Sequence, residues 1–221
     1  MSDASLLSGY PYAAPSRNPF NYVKVEQLTR DVMTAWLTLD EITQQLNLFG
    51  DESQDTYLSS LELATRFAIE DYLGLSIFPI KYRVYYGAEG MVASPSSLDL
   101  PEVSQNFTST LPGVTINSLG FWSDGTPSVF TLLTGYTYDP SGNKVILGSL
   151  PSNVNTNMTA PLVMEYTTAA NPLQSYPSIK QAGLLLLTHL YNNRSNTTDI
   201  QMREIPFGVA ALLRPYKPLV M

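Results

Sequence analysis

The sequence predicts an α+β fold in which a small α-helical bundle, formed by N- and C-terminal helices, carries an inserted antiparallel β domain and extended terminal arms. Apolar residues recur with a helical period before about residue 77 and after about residue 171, whereas apolar and polar residues alternate between these positions. The helices on the two sides of the insertion must pack together, because neither group can bury its apolar face alone.

The 221 residues are enough for one domain with an insertion. We expect an N-terminal arm over residues 1–22, a first helical part over 23–77, the β insertion over 78–170, a second helical part over 171–214 and a C-terminal tail over 215–221. The arm is rich in Ser, Pro, Tyr and Gly and shows no helical or alternating period. It is therefore either an unstructured tail or an arm that lies on a neighbouring subunit.

The sequence predicts where the first helix begins. Thr38 and Glu41 form the two ends of a capping box, in which the Thr hydroxyl and the Glu carboxylate each accept a hydrogen bond from an unpaired backbone N–H. The apolar residues that follow at helical spacing predict one buried face, made by Leu39, Ile42 and Leu46.

The second helix is predicted to begin at Asp51, with Gln54 closing a second box, and to end at Leu73 before a left-handed cap at Gly74. Its apolar stripe comprises Leu58, Leu61, Thr65, Ala68, Ile69 and Tyr72. Another face carries an i,i+4 ladder of charged residues, Glu62, Arg66 and Glu70.

From Phe78 onward the pattern is that of short antiparallel strands, about six in number. Turn sequences separate them, the strongest being Asp139-Pro-Ser-Gly142, and residues 148–159 form a Ser/Asn/Thr-rich loop. Helical character returns at Pro177, and residues 179–194 are apolar almost all round, which indicates burial on several sides. A last short helix is predicted from Phe207 to Leu213, between Pro206 and Pro215.

Composition excludes several classes of function. The absence of Cys and the presence of one His exclude thiol chemistry, Cys-ligated metals and His-rich metal sites. A net charge of −7 argues against broad nucleic-acid coating, and the longest apolar run, residues 182–187, is far too short to span a membrane. The N-terminal residues lack a basic flank and an apolar core, so we expect no signal peptide and a reducing compartment.

No residue pattern predicts catalysis or a cofactor. The adjacent acids Asp40-Glu41, Asp51-Glu52 and Glu70-Asp71 point to different sides of a helix, and the first two pairs lie where helix starts favour carboxylates. His189 lies in the buried helix and suits a hydrogen-bonded core or interface position. Trp122 and the many Tyr residues suit either a core or a sugar-binding face.

Two segments of the C-terminal half resemble a known protein family. The helix 177–194, with Pro177, Lys180-Gln-Ala and Tyr191-Asn-Asn-Arg194, and the following segment Ile205-Pro-Phe-Gly-Val with Leu212-Leu-Arg-Pro-Tyr216, resemble the C-terminal signature of tailed-bacteriophage head–tail connector proteins. The opening helices and the β insertion, with its Asp124-Gly125 turn, are similar to the longer members of that family. The resemblance extends over residues 38–216.

The resemblance implies a structural, non-enzymatic adaptor without cofactors, located at the head–tail interface of a virion and made in the host cytoplasm. Such proteins form a ring, commonly of twelve copies, between the portal protein and the tail or nozzle proteins. DNA passes through the ring without sequence-specific binding, and no membrane is involved. An acidic lumen suits this passage, because DNA affinity follows the number of phosphates neutralised.

The resemblance implies interface roles for residues of the central helix and the tail. These candidates for contacts with other subunits, the portal or the tail are Leu184, Leu187, His189, Tyr191, Arg194, Phe207, Leu212, Leu213, Arg214, Pro215 and Tyr216. The leucines suit the core of the chain equally well. Two alternatives from other classes stay open: a β-rich carbohydrate-binding or other virion surface module with Trp122 as its stacking platform, and a hydrolase that uses an Asp/Glu pair.

Overall fold

In the part of the chain that the structure describes, four α-helices are combined with two antiparallel sheets, which confirms the predicted α+β class. The structure, a computed structural model, describes residues 21–87, 96–104, 113–194 and 206–217. Most of the expected N-terminal arm and the last four residues of the tail lie outside the described residues. The elements are β1 Tyr22–Arg30, α1 Leu39–Leu46, α2 Asp55–Leu73, β2 Ile80–Tyr86, β3 Ser96–Asp99, β4 Val114–Trp122, β5 Phe130–Leu132, β6 Tyr136–Asp139, β7 Lys144–Leu147, β8 Leu162–Thr168, α3 Pro177–Asn192 and α4 Phe207–Leu213.

The eight strands form two sheets. The larger sheet has five strands in the order β1-β2-β8-β4-β5, and the smaller has three in the order β3-β7-β6. Alternate residues of β2 are buried, as a half-buried strand requires. The six strands expected from the alternating pattern are thus present, and β1 and β3 are added to them.

β1 corrects the expected start of the helical part. Residues 23–30 were expected to belong to the helical part, but they form a strand that pairs antiparallel with β2 along its whole length. Two register shifts, between Tyr22 and Lys24 and between Gln27 and Thr29, interrupt the strand. Because these shifts break the alternation of side chains, the sequence carries no clean period of two here.

The predicted caps are confirmed at three helix ends and wrong at a fourth. The Thr38 hydroxyl accepts from the Glu41 backbone N–H and the Glu41 carboxylate accepts from the Thr38 N–H, which completes the capping box of α1. Gly74 ends α2 with φ 68°. Pro177 lies in the first turn of α3. However, α2 begins at Asp55, because Asp51 accepts hydrogen bonds from Ser53 and so forms a local turn instead of a cap.

Two apolar cores underlie the two parts of the fold. One lies between the sheets and includes Tyr86, Leu98, Val145 and Tyr166. The other joins α1 and α2 to α3 and α4, and its members come from both sides of the β region, as expected for helices that cannot bury their faces alone. Trp36, in the segment that links β1 to α1, packs directly over Gly183 of α3.

The charged ladder of α2 is buried, which corrects its reading as a separate polar face. Glu62, Arg66 and Glu70 are at most 4% exposed, because the segment 31–37 and β1 cover them. Arg66 donates to the backbone carbonyls of Asp31 and Thr34, and it does not bridge its neighbours on the helix. The ladder therefore holds the segment 31–37, which connects β1 to α1, against α2.

Candidate subunit interface

Each adjacent acid pair has structural partners. Glu41 belongs to the capping box and forms an ion pair with Lys180 at 2.6 Å, and this hydrogen bond is the largest cause that lowers its pKa. Glu70 forms an ion pair with Arg30 and accepts from the Ile77 backbone N–H at 2.7 Å. Asp51 forms the local turn with Ser53. These carboxylates are engaged in holding the fold. Glu70 and Asp71 line one cleft with Glu102, where Arg30 pairs with Glu70, and Ser76 and Tyr82 donate to Glu102.

Glu62 of α2 is buried beneath the segment that links β1 to α1. It accepts hydrogen bonds from the backbone N–H groups of Trp36, at 3.0 Å, and Leu37, at 3.4 Å. Burial raises the pKa of its carboxyl, and the two N–H groups act against that shift. Within the described residues no three His, Asp or Glu side chains lie close enough to hold a metal ion, and no helix there is long and apolar enough to cross a membrane.

Two of the expected interface leucines lie in the core of the chain. Leu187 of α3 and Leu213 of α4 are both 0% exposed and belong to the helical core. They are not available for contact with another subunit in this fold. Leu184 and Leu212 are partly buried against the same core, and Leu185, which was not among the candidates, is 37% exposed.

Three candidates form a cluster at the C-terminal end of α3. The Arg194 guanidinium carbon lies 4.3 Å from the Tyr191 ring centroid and 4.7 Å from that of Tyr57, an arrangement that favours cation–π attraction. Tyr191 Oη and Arg194 Nη2 both donate to Gln54 Oε1. His189 lies beside this cluster, and its carbonyl accepts from the Asn193 side chain at 2.8 Å. The cluster ties the end of α3 to the start of α2.

The tail candidates lie at the other end of α3. Tyr216 Oη is 2.6 Å from Ser178 Oγ, and its ring lies 5.3 Å from that of Tyr176. Arg214 and Pro215 are exposed, whereas the side chain of Phe207 lies outside the described residues. A helix of 16 residues is about 24 Å long, so the expected residues form two separate clusters.

Sequence reasoning missed the most exposed apolar surfaces. Met33 is 90% exposed and Val32 is 52% exposed, and with Leu39 they border a groove between the segment 32–37, α1 and the first half of α2. Phe49, in the loop between α1 and α2, is 72% exposed. No periodic pattern marks Val32, Met33 and Phe49, because they lie in connecting segments. Leu39 was expected on the buried face of α1 but is 36% exposed, because it is the first residue of the helix and borders the open groove.

The edge strand β5 is a further exposed apolar surface. Leu132 is 63% exposed and Val129, just before the strand, is 57% exposed. Trp122 is half-buried and packs against Phe130, with ring centroids 5.4 Å apart. One face of the expected sugar-stacking platform is therefore occupied by a neighbouring ring of the same chain.

The fold is similar to solved structures of particle necks. One match is a chain in the neck of an empty GTA particle computed with C6 symmetry, with a TM-score of 0.62 and 20% identity. Another is from the virion of a native gene transfer agent (GTA) particle, with a TM-score of 0.60 and 19% identity. A third is from the neck of a native GTA particle computed with C12 symmetry, with a TM-score of 0.59 and 20% identity.

Each match covers 90% of this chain and 97% of the other chain, so the helical part and the β region are both included. At this level of identity the comparison establishes a shared fold. No known protein family matches the sequence, and neither does any curated protein.

Proposed function

We propose that this protein is a structural component of the neck of a phage-like particle, where it forms a ring between the portal and the tail. The observation that carries the proposal is the fold similarity to chains from particle necks, which extends over nearly the whole of both chains. The motifs in α3 and α4 that resemble head–tail connectors support the same role independently.

The surface of the chain suits a repeating subunit. Its exposed apolar residues lie on distinct surfaces, at the groove, at the α1–α2 loop and along β5. Copies that contact one another through two different surfaces form a ring when the rotation closes. A neck computed with C12 symmetry among the similar structures is consistent with twelve copies in the ring.

The charge of the chain suits a channel through which DNA passes without being held. The net charge is −7; the loop between α1 and α2 exposes Asp51 and Glu52, and the first turn of α1 exposes Asp40. Carboxylates at a channel wall neutralise no phosphates, so DNA is not retained there. The particle neck, with portal and tail proteins as neighbours, is the proposed location.

The ring is tested by measuring the mass of the purified protein alone and with its portal protein. Light scattering and cryo-electron microscopy should show rings, with twelve copies expected. Monomers only, even with portal protein present, would refute the proposal. Deletion of residues 215–221 should weaken docking, because exposed Pro215 is lost from the proposed interface. The deletion also removes Tyr216, which contacts Tyr176 and Ser178, so circular dichroism must show the helical core folded. Unchanged docking would remove the tail from the interface.

A further inference from the structure

The α1–α2 loop presents one aromatic side chain to solvent in a fixed position. Asn47 and Gly50 on the two sides of Leu48 and Phe49 have left-handed backbones, with φ 56° and φ 78°. The Leu48 backbone N–H donates to the Thr43 carbonyl at 2.9 Å, and the Leu48 side chain packs on the helical core. Phe49 points away from that core and is 72% exposed.

The groove is an apolar recess at the other end of α1. It has a volume of about 710 Å³, and its walls come from three segments of the chain. Val32 and Met33 border it on one side, Leu39 and Ile42 of α1 lie on another, and Leu63 of α2 is also in the wall. Polar residues of α2 also contribute to the lining, namely Thr56, Ser59, Ser60 and Glu62, whose carboxylate accepts from the backbone N–H groups of Trp36 and Leu37.

Phe49 cannot occupy the groove of its own chain. α1 has eight residues, so its ends are about 12 Å apart, and Phe49 follows one end while Leu39 begins the other. The backbone hydrogen bonds of the loop, including Asp51 N–H to the Leu48 carbonyl at 3.3 Å, hold Phe49 at its end.

We propose that Phe49 of one copy inserts into the groove of the next copy, against Met33, and that this contact joins neighbouring subunits of the ring. The inference rests on the proposed function and names the surfaces that the ring uses. An aromatic knob and an apolar recess at opposite ends of one helix make a heterologous contact, in which each copy offers one surface to each neighbour. The contact adds a lateral surface to the candidates on α3, of which Leu187 is buried in the chain's own core.

The exposed area is of the size that an interface centre needs. Aromatic side chains bury roughly 150–250 Å² each, and Phe49, Met33 and Val32 are all more than half exposed. At one contact, Phe49 of one copy and Met33 and Val32 of the other together supply roughly a quarter of the ~1,600 Å² that both partners bury in a standard interface. A well-packed aromatic and its pocket at the centre of an interface carry most of its binding energy.

Photo-cross-linking tests the contact directly. With p-benzoylphenylalanine in place of Phe49, irradiated rings should yield intermolecular cross-links that mass spectrometry maps to the peptide containing Met33. The same probe in place of Phe130, which is 39% exposed on β5, should not reach that peptide. Rings that cross-link elsewhere from position 49 would overturn the inference while leaving the proposed function intact. Absence of rings altogether would overturn both.

Substitutions give a second readout. Phe49→Ser and Met33→Ser should each weaken assembly at least tenfold, the effect of truncating a central interface residue. Leu132→Ser removes a comparably exposed apolar side chain from β5 and should leave assembly unchanged. All three side chains are exposed, so circular dichroism should report the same folded monomer. Equal losses in all three variants, or none, would refute the contact.

The N-terminal arm is the competing occupant of the groove. Residues 1–20 contain Leu6, Leu7, Tyr10 and Tyr12 and precede β1 directly. p-Benzoylphenylalanine in place of Met33 should capture the peptide with Phe49 from another copy. Capture of residues 1–20 would assign the groove to the arm and overturn the inference.

Discussion

Replacing Gly183 with alanine is expected to destabilise the helical core, although alanine is normally the better helix former. Gly183 lies inside α3 beneath the ring of Trp36. A Cβ atom at this position would lie 2.7 Å from both Cη2 and Cζ3 of Trp36 and 3.2 Å from Leu37 Cδ1. Trp36 is only 5% exposed and Leu37 1%, so neither side chain can retreat into solvent.

The expected magnitude follows from two opposing effects. Overpacking a core by one methyl group costs about 1–3 kcal/mol. Alanine recovers about 1 kcal/mol of helix propensity relative to glycine. The net expectation for Gly183→Ala is a loss of up to about 2 kcal/mol in the free energy of unfolding, against a gain of about 1 kcal/mol if the space above Gly183 were open.

Urea unfolding followed by circular dichroism measures this difference, with Gly208→Ala as the matched control. Gly208 is also helical, but a Cβ there meets no atom within 4 Å, so alanine should leave stability unchanged or raise it by up to about 1 kcal/mol. In a Trp36→Leu background, where the ring is gone, Gly183→Ala should no longer destabilise. If Gly183→Ala matches Gly208→Ala, or still destabilises without Trp36, the assigned packing is wrong.

Three further predictions concern polar contacts. Thr38→Ala removes half of the capping box and should cost about 1 kcal/mol in chemical unfolding; no loss would mean that the box does not stabilise α1. Arg66→Met leaves the carbonyls of Asp31 and Thr34 without their donor and should cost about 3 kcal/mol, and a loss below about 1 kcal/mol would contradict the role assigned to this buried group. Hydrogen bonds from Lys81, then Arg83, hold the pKa of Glu165 below its ordinary value of 4.5. Glu165→Gln should therefore lower the free energy of unfolding by about 1 kcal/mol at neutral pH. This difference from wild type should disappear as the pH falls through the lowered pKa, because the wild-type carboxylate is then protonated. A loss of stability that is independent of pH would contradict the ion pairs.

Local signals in the sequence were sufficient for most elements. The capping box at Thr38, the glycine cap at Gly74 and the proline at the start of α3 each act within a few residues, so sequence alone identifies them. β3, with the sequence Ser-Ser-Leu-Asp, has little strand propensity of its own. It is a strand because β7 pairs with it, and such pairing depends on the tertiary fold.

The candidate interface was harder to predict for the same physical reason. An apolar residue at helical spacing is equally suited to the core and to a neighbour, and the structure places Leu187 and Leu213 in the core. Met33 and Phe49 lie in connecting segments, where no period distinguishes an exposed apolar residue from a buried one. The burial of Arg66 on α2 was also hidden, because its partners are backbone carbonyls 32 and 35 residues earlier in the chain.

The two chain segments that connect the helical core to the inserted β region lie side by side, which allows the insertion to vary. The chain leaves the helical core after Ile77 and returns at Asn171, and the Asn171 backbone N–H donates to the Ile77 carbonyl at 3.2 Å. The Asn171 side chain also donates to the Ser76 carbonyl at 3.0 Å. Because the two ends of the insertion are adjacent, strands between them can be lengthened, shortened or exchanged without moving the helices. Chains that share this fold can therefore differ in the size and contour of the β region while keeping the helical part constant.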